Sequence, residues 1–360
     1  MVKELTYSEA GVDRKLRAQS KTALRMLKQT YRFSSYGKVV QLPYGNIFSI
    51  GNDRYLDLTI EGIGTKVLLA QLADKYDTIG VDAVAMAVND VIRSGARPLA
   101  LADNIHAQLS DPHLVQEWMK GLTKGAIESR CIIAGGEIGD VAEIIKGYRE
   151  GKGFDMVVAC IGEVHRSDVI FGNDIEPRED VVIGLRSSGI HSNGVTLARK
   201  VLFKQWGGKF DPYDVLEGLD KELVYEVLEP TKIYAKPLAD VARRFRIKGA
   251  VHITGDAYLK FGNLMKFSRG TGFELTNFKP QPIFTLIQST ARKMGSTITD
   301  GEMLKTFNMG WGFVLIVKRR NLDGVVGLLE KNGVEAEVIG KATSTGKIVA
   351  VYNGKKLVLQ

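Results

Sequence analysis

Y-L-D-L-T-I-E-G-I-G-T-K, residues 55 to 66, sets the architecture: a β-rich run ends in an acid, two glycines, a hydroxyl and a lysine. Glycine lets backbone amides approach an anion, so a strand that empties into such a turn reads as one unit of a layered α/β fold. The turn is not a Walker A loop, because no G-x-x-x-x-G-K-[S/T] occurs in the chain. Nor is it a dinucleotide fingerprint, whose third glycine is replaced by Val67. Taken alone, a tight turn carrying a solvated Lys66 is the simpler reading.

Toward the N-terminus, V-V-Q-L-P-Y and N-I-F-S-I are further strands, punctuated by Gly45 and Gly51. Before them, Val12 to Tyr31 is an amphipathic stretch that suits a surface helix, an arm or cap. Toward the C-terminus, Val81, Val84, Ala85, Val88, Val91 and Ile92 recur at three and four within Tyr76 to Ala96, one apolar helix face, with Asn89 and Asp90 near its end. P-L-A-L-A-D-N-I is a strand, Asp111 to Ser129 a helix opened by Asp-Pro, and C-I-I-A-G-G and F-D-M-V-V-A-C-I-G-E-V are buried strands. A polar connector containing Pro177 follows, and a second alternation of strands and helices begins at V-V-I-G-L-R. The expected fold is α/β (α+β) in two domains, residues 1–165 and 179–360, joined by a linker at 166–178. The 360 residues exceed one comfortable core.

The net charge of +8 is spread among acidic residues, which suits anionic small molecules better than nucleic acid. Cys131 and Cys160 lie in apolar runs without a C-x-x-C, so neither zinc nor a disulfide framework is expected. No run reaches the 18 or so apolar residues of a membrane span, and the N-terminus lacks the apolar core of a signal peptide; the expected location is the cytoplasm.

Glu61, Asp90 in V-N-D and Glu137 in G-G-E are three separated acids in glycine or asparagine settings. Gathered by the fold, they would hold magnesium and the phosphates it carries. Singly, Asp90 could be a solvent-facing residue near a helix end and Glu137 a loop residue. S-S-G-I-H-S-N-G, residues 187 to 194, opens a helix with amides and hydroxyls suited to an anion, or merely caps it. His191 there could serve a phosphate, shuttle a proton or be a hydrogen-bonded loop histidine. His252 in V-H-I-T-G-D alternates with apolar residues and reads as a core histidine, and F-N-M-G-W-G-F (307 to 313) as close backbone packing.

Together the blocks resemble the aminoimidazole ribonucleotide synthetase family, the phosphoribosylformylglycinamidine cyclo-ligases of purine biosynthesis. They are Y-S-E-A-G-V-D (7 to 13), E-G-I-G-T-K, D-A-V-A-M-A-V-N-D-V (82 to 91), A-G-G-E (134 to 137), S-S-G-I-H-S-N-G, L-E-P-T-K-I-Y (228 to 234), H-I-T-G (252 to 255) and F-N-M-G-W-G-F. The resemblance implies an N-terminal sheet that forms a β-barrel across a homodimer, a C-terminal α/β domain, and ATP-dependent ring closure of a phosphoribosyl substrate with Mg2+. It also implies magnesium-nucleotide carboxylates at Glu61, Asp90 and Glu137, and a phosphate turn at Gly62, Gly64, Thr65 and Lys66. Further nucleotide contacts fall at Asn89, Gly135, Gly136, Ser188, Gly189, Ser192 and Gly194, with His191, Asn193 and Lys66 serving the chemistry. Departures from the family's wording fall at Ile60, Glu61, Ile138 and Asp256. Another ATP-using member of the superfamily, acting on a different amide or phosphate acceptor, and a catalytically silent nucleotide-binding scaffold are the alternatives left open.

Overall fold

The computed structural model describes residues 3 to 360; Met1 and Val2, at the start of the first expected domain, lie outside the described residues. A short strand β1 (Lys3–Glu4) leads into helix α1 (Arg14–Ser20), capped by the Asp13 carboxylate. The expected long surface helix does not form: past Ser20 the chain tightens into an exposed 3-10 stretch, Lys21–Phe33, with no buried residue to hold an α-helical face. The arm docks on the second domain. β1 pairs with β11 (Ser296–Thr297), and the Arg14 guanidinium reaches Glu302 at 2.9 Å and Thr306 at 2.7 Å.

Six strands build the first sheet: β2 (Val39–Leu42), β3 (Gly45–Gly51), β4 (Arg54–Gly62), β5 (Arg97–Ala107), β6 (Ile132–Asp140) and β7 (Phe154–His165). Their order is β2-β3-β4-β7-β5-β6, antiparallel except for the β5–β6 pair. Helices α2 (Lys66–Ala73), α3 (Ile79–Ile92) and α4 (Pro112–Ser129) accompany it. Gly80 and Gly121 let α3 and α4 approach closely, since a Cβ at Gly80 would lie 2.2 Å from the Leu122 nitrogen. Every residue of α3 is buried. A helix covered on all sides in this way carries the domain contact as well as the sheet contact.

The second sheet has order β15-β14-β10-β13-β8-β12-β9. Its members are β8 (Asp180–Arg186), β9 (Gly249–His252), β10 (Gly272–Leu275), β12 (Trp311–Lys318), β13 (Ala336–Thr343), β14 (Ile348–Tyr352) and β15 (Lys355–Val358). The central strands β8 and β12 are buried on both faces, which is why V-V-I-G-L and W-G-F-V-L-I-V read as unbroken apolar runs. Helices α5 (Val195–Leu202), α6 (Leu223–Val227) and α7 (Ala235–Ala242) precede β9. The fold is thus mixed α/β with two sheets. Among the described residues no helix is long and apolar enough to cross a membrane.

One expected buried strand is not buried. C-I-I-A-G-G forms the start of β6, the last strand of its sheet, and residues 132–137 are exposed. An apolar run also fits a sheet edge with an uncovered face, and composition alone does not distinguish the two.

Candidate active site between the two sheets

Side chains alternate across β4, so Asp57, Thr59 and Glu61 point toward α3 while Leu58 and Ile60 point to the outer face. The departure at Ile60 is therefore on the opposite face from Glu61. The same register locates Glu137. Glu61 lies in a row with Val158, Asp103 and Gly136, whereas Glu137 lies in the next row with Asn104, Val157 and Gly62. Glu137 is exposed on the outer face, with two strands between β6 and β4. Within the chain the three acids do not converge, and among the described residues no three His, Cys, Asp or Glu side chains form a metal-holding group. Gly135 and Gly136 stay with Glu137 at that edge; a Cβ at Gly136 would meet the Asp103 carboxylate at 2.6 Å and make that side chain move.

Glu61 and Asp90 do meet, at a cavity of about 200 Å³ beside β4 that Tyr44, Asp57 and Arg93 also line. Asp90 Oδ2 pairs with Arg93 at 2.8 Å and Asp90 Oδ1 accepts from His252 Nδ1 at 2.8 Å. Burial alone would raise the Asp90 carboxyl, but Arg93 and the His252 hydrogen bond outweigh it and hold Asp90 well below the usual carboxylate range. Glu61 goes the other way: burial, then the neighbouring Asp90 charge, pushes it up to about 7. His252, fully buried, is pushed down to about 4 by burial against the pull of Asp90, so at neutral pH it is an uncharged donor. Its expected role as a satisfied core histidine holds on the Nδ1 side only, because Nε2 is buried without a partner.

The two glycine-bearing loops also meet. Thr65 Oγ1 lies 2.8 Å from Thr196 Oγ1, joining the E-G-I-G-T-K turn to the helix that S-S-G-I-H-S-N-G opens. Gly64 (φ +63°) and Gly194 (φ +78°) take left-handed backbone conformations, and at Gly194 a Cβ would strike the Phe307 ring at 2.4 Å. Asn308 clamps the loop by donating to the carbonyls of Gly189 (2.8 Å) and Ile190 (3.2 Å). Ser188 Oγ donates to the Pro230 carbonyl at 2.5 Å, and Asn193 Nδ2 lies 3.7 Å from Met86 Sδ.

Two expected chemical groups are turned inward. Lys66 is fully buried, its Nζ donating to Asp82 Oδ1 at 2.9 Å and to the Glu229 carbonyl at 2.7 Å. His191 is 1 % exposed, at φ +63°; its Nε2 accepts from the Ser188 amide at 3.2 Å, and burial drives its pKa well below 6.5. Gly312 exists to admit that ring, since a Cβ there would lie 2.3 Å from His191 Cε1. A neutral ring packed in this way holds the loop's shape, the arrangement of a hydrogen-bonded loop histidine. Asn89 likewise bridges domains, accepting from the Tyr234 amide at 3.0 Å and donating to the Lys232 carbonyl at 2.8 Å.

Sequence reasoning missed Asp82, whose Oδ1 also accepts from Ser192 Oγ (3.0 Å), the Thr231 amide (2.8 Å) and Thr231 Oγ1 (2.6 Å). Its signal was present: Asp82 and Asn89 are seven apart, hence on one face, in a helix whose only other polar side chain is Asp90. Arg93 and Lys260 were missed because isolated basic residues read as solvated surface.

Residues 44–164 match the family described as AIR synthase related protein, N-terminal domain, and residues 178–353 match its C-terminal domain. The chain belongs to the AIR synthase related family. Among curated relatives of this AIR synthase related chain, the phosphoribosylformylglycinamidine cyclo-ligase of Methanocaldococcus jannaschii is 35 % identical, over 99 % of this chain and 100 % of the relative. That of Methanobrevibacter smithii is 36 % identical over 98 % and 99 %. The fold is shared with the hydrogenase maturation protein HypE in complex with ATP, at a TM-score of 0.59 and 15 % identity, covering 97 % of this chain and 95 % of that one.

Proposed function

We propose that this chain closes the ring of formylglycinamidine ribonucleotide to 5-aminoimidazole ribonucleotide, converting ATP to ADP and phosphate, as a cytoplasmic enzyme of purine biosynthesis. The observation that carries this reading is the near-full-length match to cyclo-ligases at about one-third identity, with both family domains present in order. The formamide oxygen takes the terminal phosphoryl group, the amidine-derived nitrogen attacks the activated carbon, and phosphate leaves with that oxygen. Such chemistry asks the protein for positioning and for neutralisation of the transferred charge.

The residues divide this work. The turn at Gly62 and Gly64 and the loop 187–194, joined through Thr65 and Thr196, present backbone amides toward the nucleotide's phosphates. Asp82 fixes their relative position by holding Lys66, Ser192 and Thr231 at once. Magnesium, when bound, neutralises and orients phosphate oxygens. Glu61 fits it as a ligand: a carboxylate at the cavity wall, with no cation among the described residues in direct ion-pair contact and with Lys260 and Arg93 acting on it only through space. Asp90 fits only if it exchanges Arg93 or His252, since both of its oxygens are engaged.

The chain works as a homodimer in this reading, its outer sheet face pairing with a second copy to close a barrel. Leu58, Ile161, Ala100 and Ile132 form one row on that face and Ile60, Ala159, Ala102 and Gly135 the next. Leu58, Ile60 and Ile132 are 59 %, 68 % and 65 % exposed, an apolar surface of the kind that marks an interface. Residues 166–178 serve as the linker between the domains. The test is incubation of purified protein with ATP, magnesium and formylglycinamidine ribonucleotide, with diazo coupling to detect the aminoimidazole. No colour above the ATP-free control at saturating substrates refutes the assignment.

A further inference from the structure

The carboxylates of the cavity come with cations of their own. Arg93, one turn beyond Asp90 on α3, lines the cavity and lies 2.8 Å from Asp90 Oδ2, with only 12 % of its side chain exposed. On the other side of Asp90, the His252 carbonyl accepts from Lys260 Nζ at 3.1 Å, and Lys260 also donates to Thr254 Oγ1. That leaves one of the three ammonium donors unused, and no carboxylate oxygen among the described residues lies within ion-pairing distance of it. A partly buried ammonium with no counter-ion is costly. Asp90, Glu61 and Asp256 act on it only through space, so the direct contact is left for an anion from outside, and a phosphate of a bound nucleotide supplies one.

We propose that Arg93 and Lys260 are phosphate-neutralising cations of this site, supplying charge that divalent metal alone would otherwise supply, so that the chain binds ATP even without a divalent ion. The inference rests on the nucleotide reading above and adds to it which protein groups carry the phosphate charge. Asp90 is then mainly the orienting partner of Arg93 and His252, and Glu61 the carboxylate left for metal. Guanidinium suits the role because its planar fork can keep one edge on a carboxylate and turn the other to a phosphate.

Isothermal titration of the full chain with ATP in EDTA, and again in magnesium, tests this directly. Binding in EDTA within about a hundredfold of that in magnesium is expected, and Arg93→Gln and Lys260→Gln should each weaken the EDTA binding by about tenfold or more. Because Arg93→Gln strips a partner from Asp90, thermal melting of each variant is run alongside, and the wild-type comparison stands even if that variant does not fold. ATP binding in magnesium with none in EDTA overturns the inference and leaves the nucleotide reading intact. Unchanged EDTA affinity in two folded variants overturns it as well. No ATP binding in either medium overturns the nucleotide reading, and this inference with it.

Discussion

Lys66 and Asp82 form an ion pair at 2.9 Å in which both side chains are fully buried. Asp82 lies in the first turn of α3, Lys66 opens α2, and the same Asp82 carboxylate accepts from Ser192 and Thr231 of the second domain. One carboxylate thus joins four chain segments across the domain boundary. The lysine of the E-G-I-G-T-K turn is held at the junction and is not among the residues lining the cavity.

Removing the acid from that pair strands an ammonium in the interior. Asp82→Ala is expected to destabilise the protein by about 3 to 5 kcal/mol in urea unfolding. Lys66→Met combined with Asp82→Ala should recover part of that loss relative to the two single variants; a strictly additive double variant contradicts the pairing.

Titration of Glu61 gives a signed pH dependence. Burial, then the Asp90 charge, raises its carboxyl from 4.5 to about 7, so the folded state binds more protons than the unfolded state between those values. The contribution of Glu61 is therefore full below pH 4.5 and is lost as pH rises toward 7, a change on the order of 3 kcal/mol. Asp57, pushed up to about 6 chiefly by burial, adds a smaller change of the same sign. Melts of Glu61→Gln across this range should show a visibly flatter profile than wild type.

Glu61 and Glu137 lie on opposite faces of one sheet. Glu61→Gln is expected to weaken magnesium-ATP binding by about tenfold, the scale of one lost charged ligand, and Glu137→Gln to weaken it less. Titration of both variants against wild type decides the order, and a larger effect at Glu137 would require that residue to reach a nucleotide across a subunit boundary.

The bare face of the first sheet makes a separate claim. Ile60→Asp puts a charge in the middle of the proposed barrel interface, 68 % exposed in the protomer and so harmless to its folding. Sedimentation velocity should show wild type as a dimer and the variant shifted to monomer, with little change in the circular dichroism spectrum.

Much of this organisation was legible in the chain. The strand and turn at residues 55 to 65 form where the glycine pattern places them, and the Asp111-Pro112 start signal caps α4 through the Asp111 carboxylate; the helix Lys66–Ala73 between them was not anticipated. The two glycine-bearing loops read as separate motifs, but their meeting at Thr65 and Thr196 depends on domain packing, which leaves no local pattern. The separation of Glu137 from Glu61 within the chain was not legible for a related reason. A carboxylate's position along the chain does not say which face of a sheet it takes, and one residue of register moves it from one side to the other. His191 and Lys66 looked accessible because polar residues in glycine loops usually are; only the packing of Gly312 against the histidine, and of Asp82 against the lysine, shows them enclosed. Asp256, where a glycine turn was expected, keeps the left-handed backbone at φ +68° and lies 3.3 Å from Arg14, a partner some 240 residues away.

The most direct test of the central claim is the stoichiometry of turnover. With purified chain, magnesium, ATP and formylglycinamidine ribonucleotide, ADP release and aminoimidazole formation are followed together. The account predicts that both appear in equal amounts and that neither appears when the ribonucleotide is withheld. ADP release without aminoimidazole, or no turnover from protein that binds ATP, would contradict it.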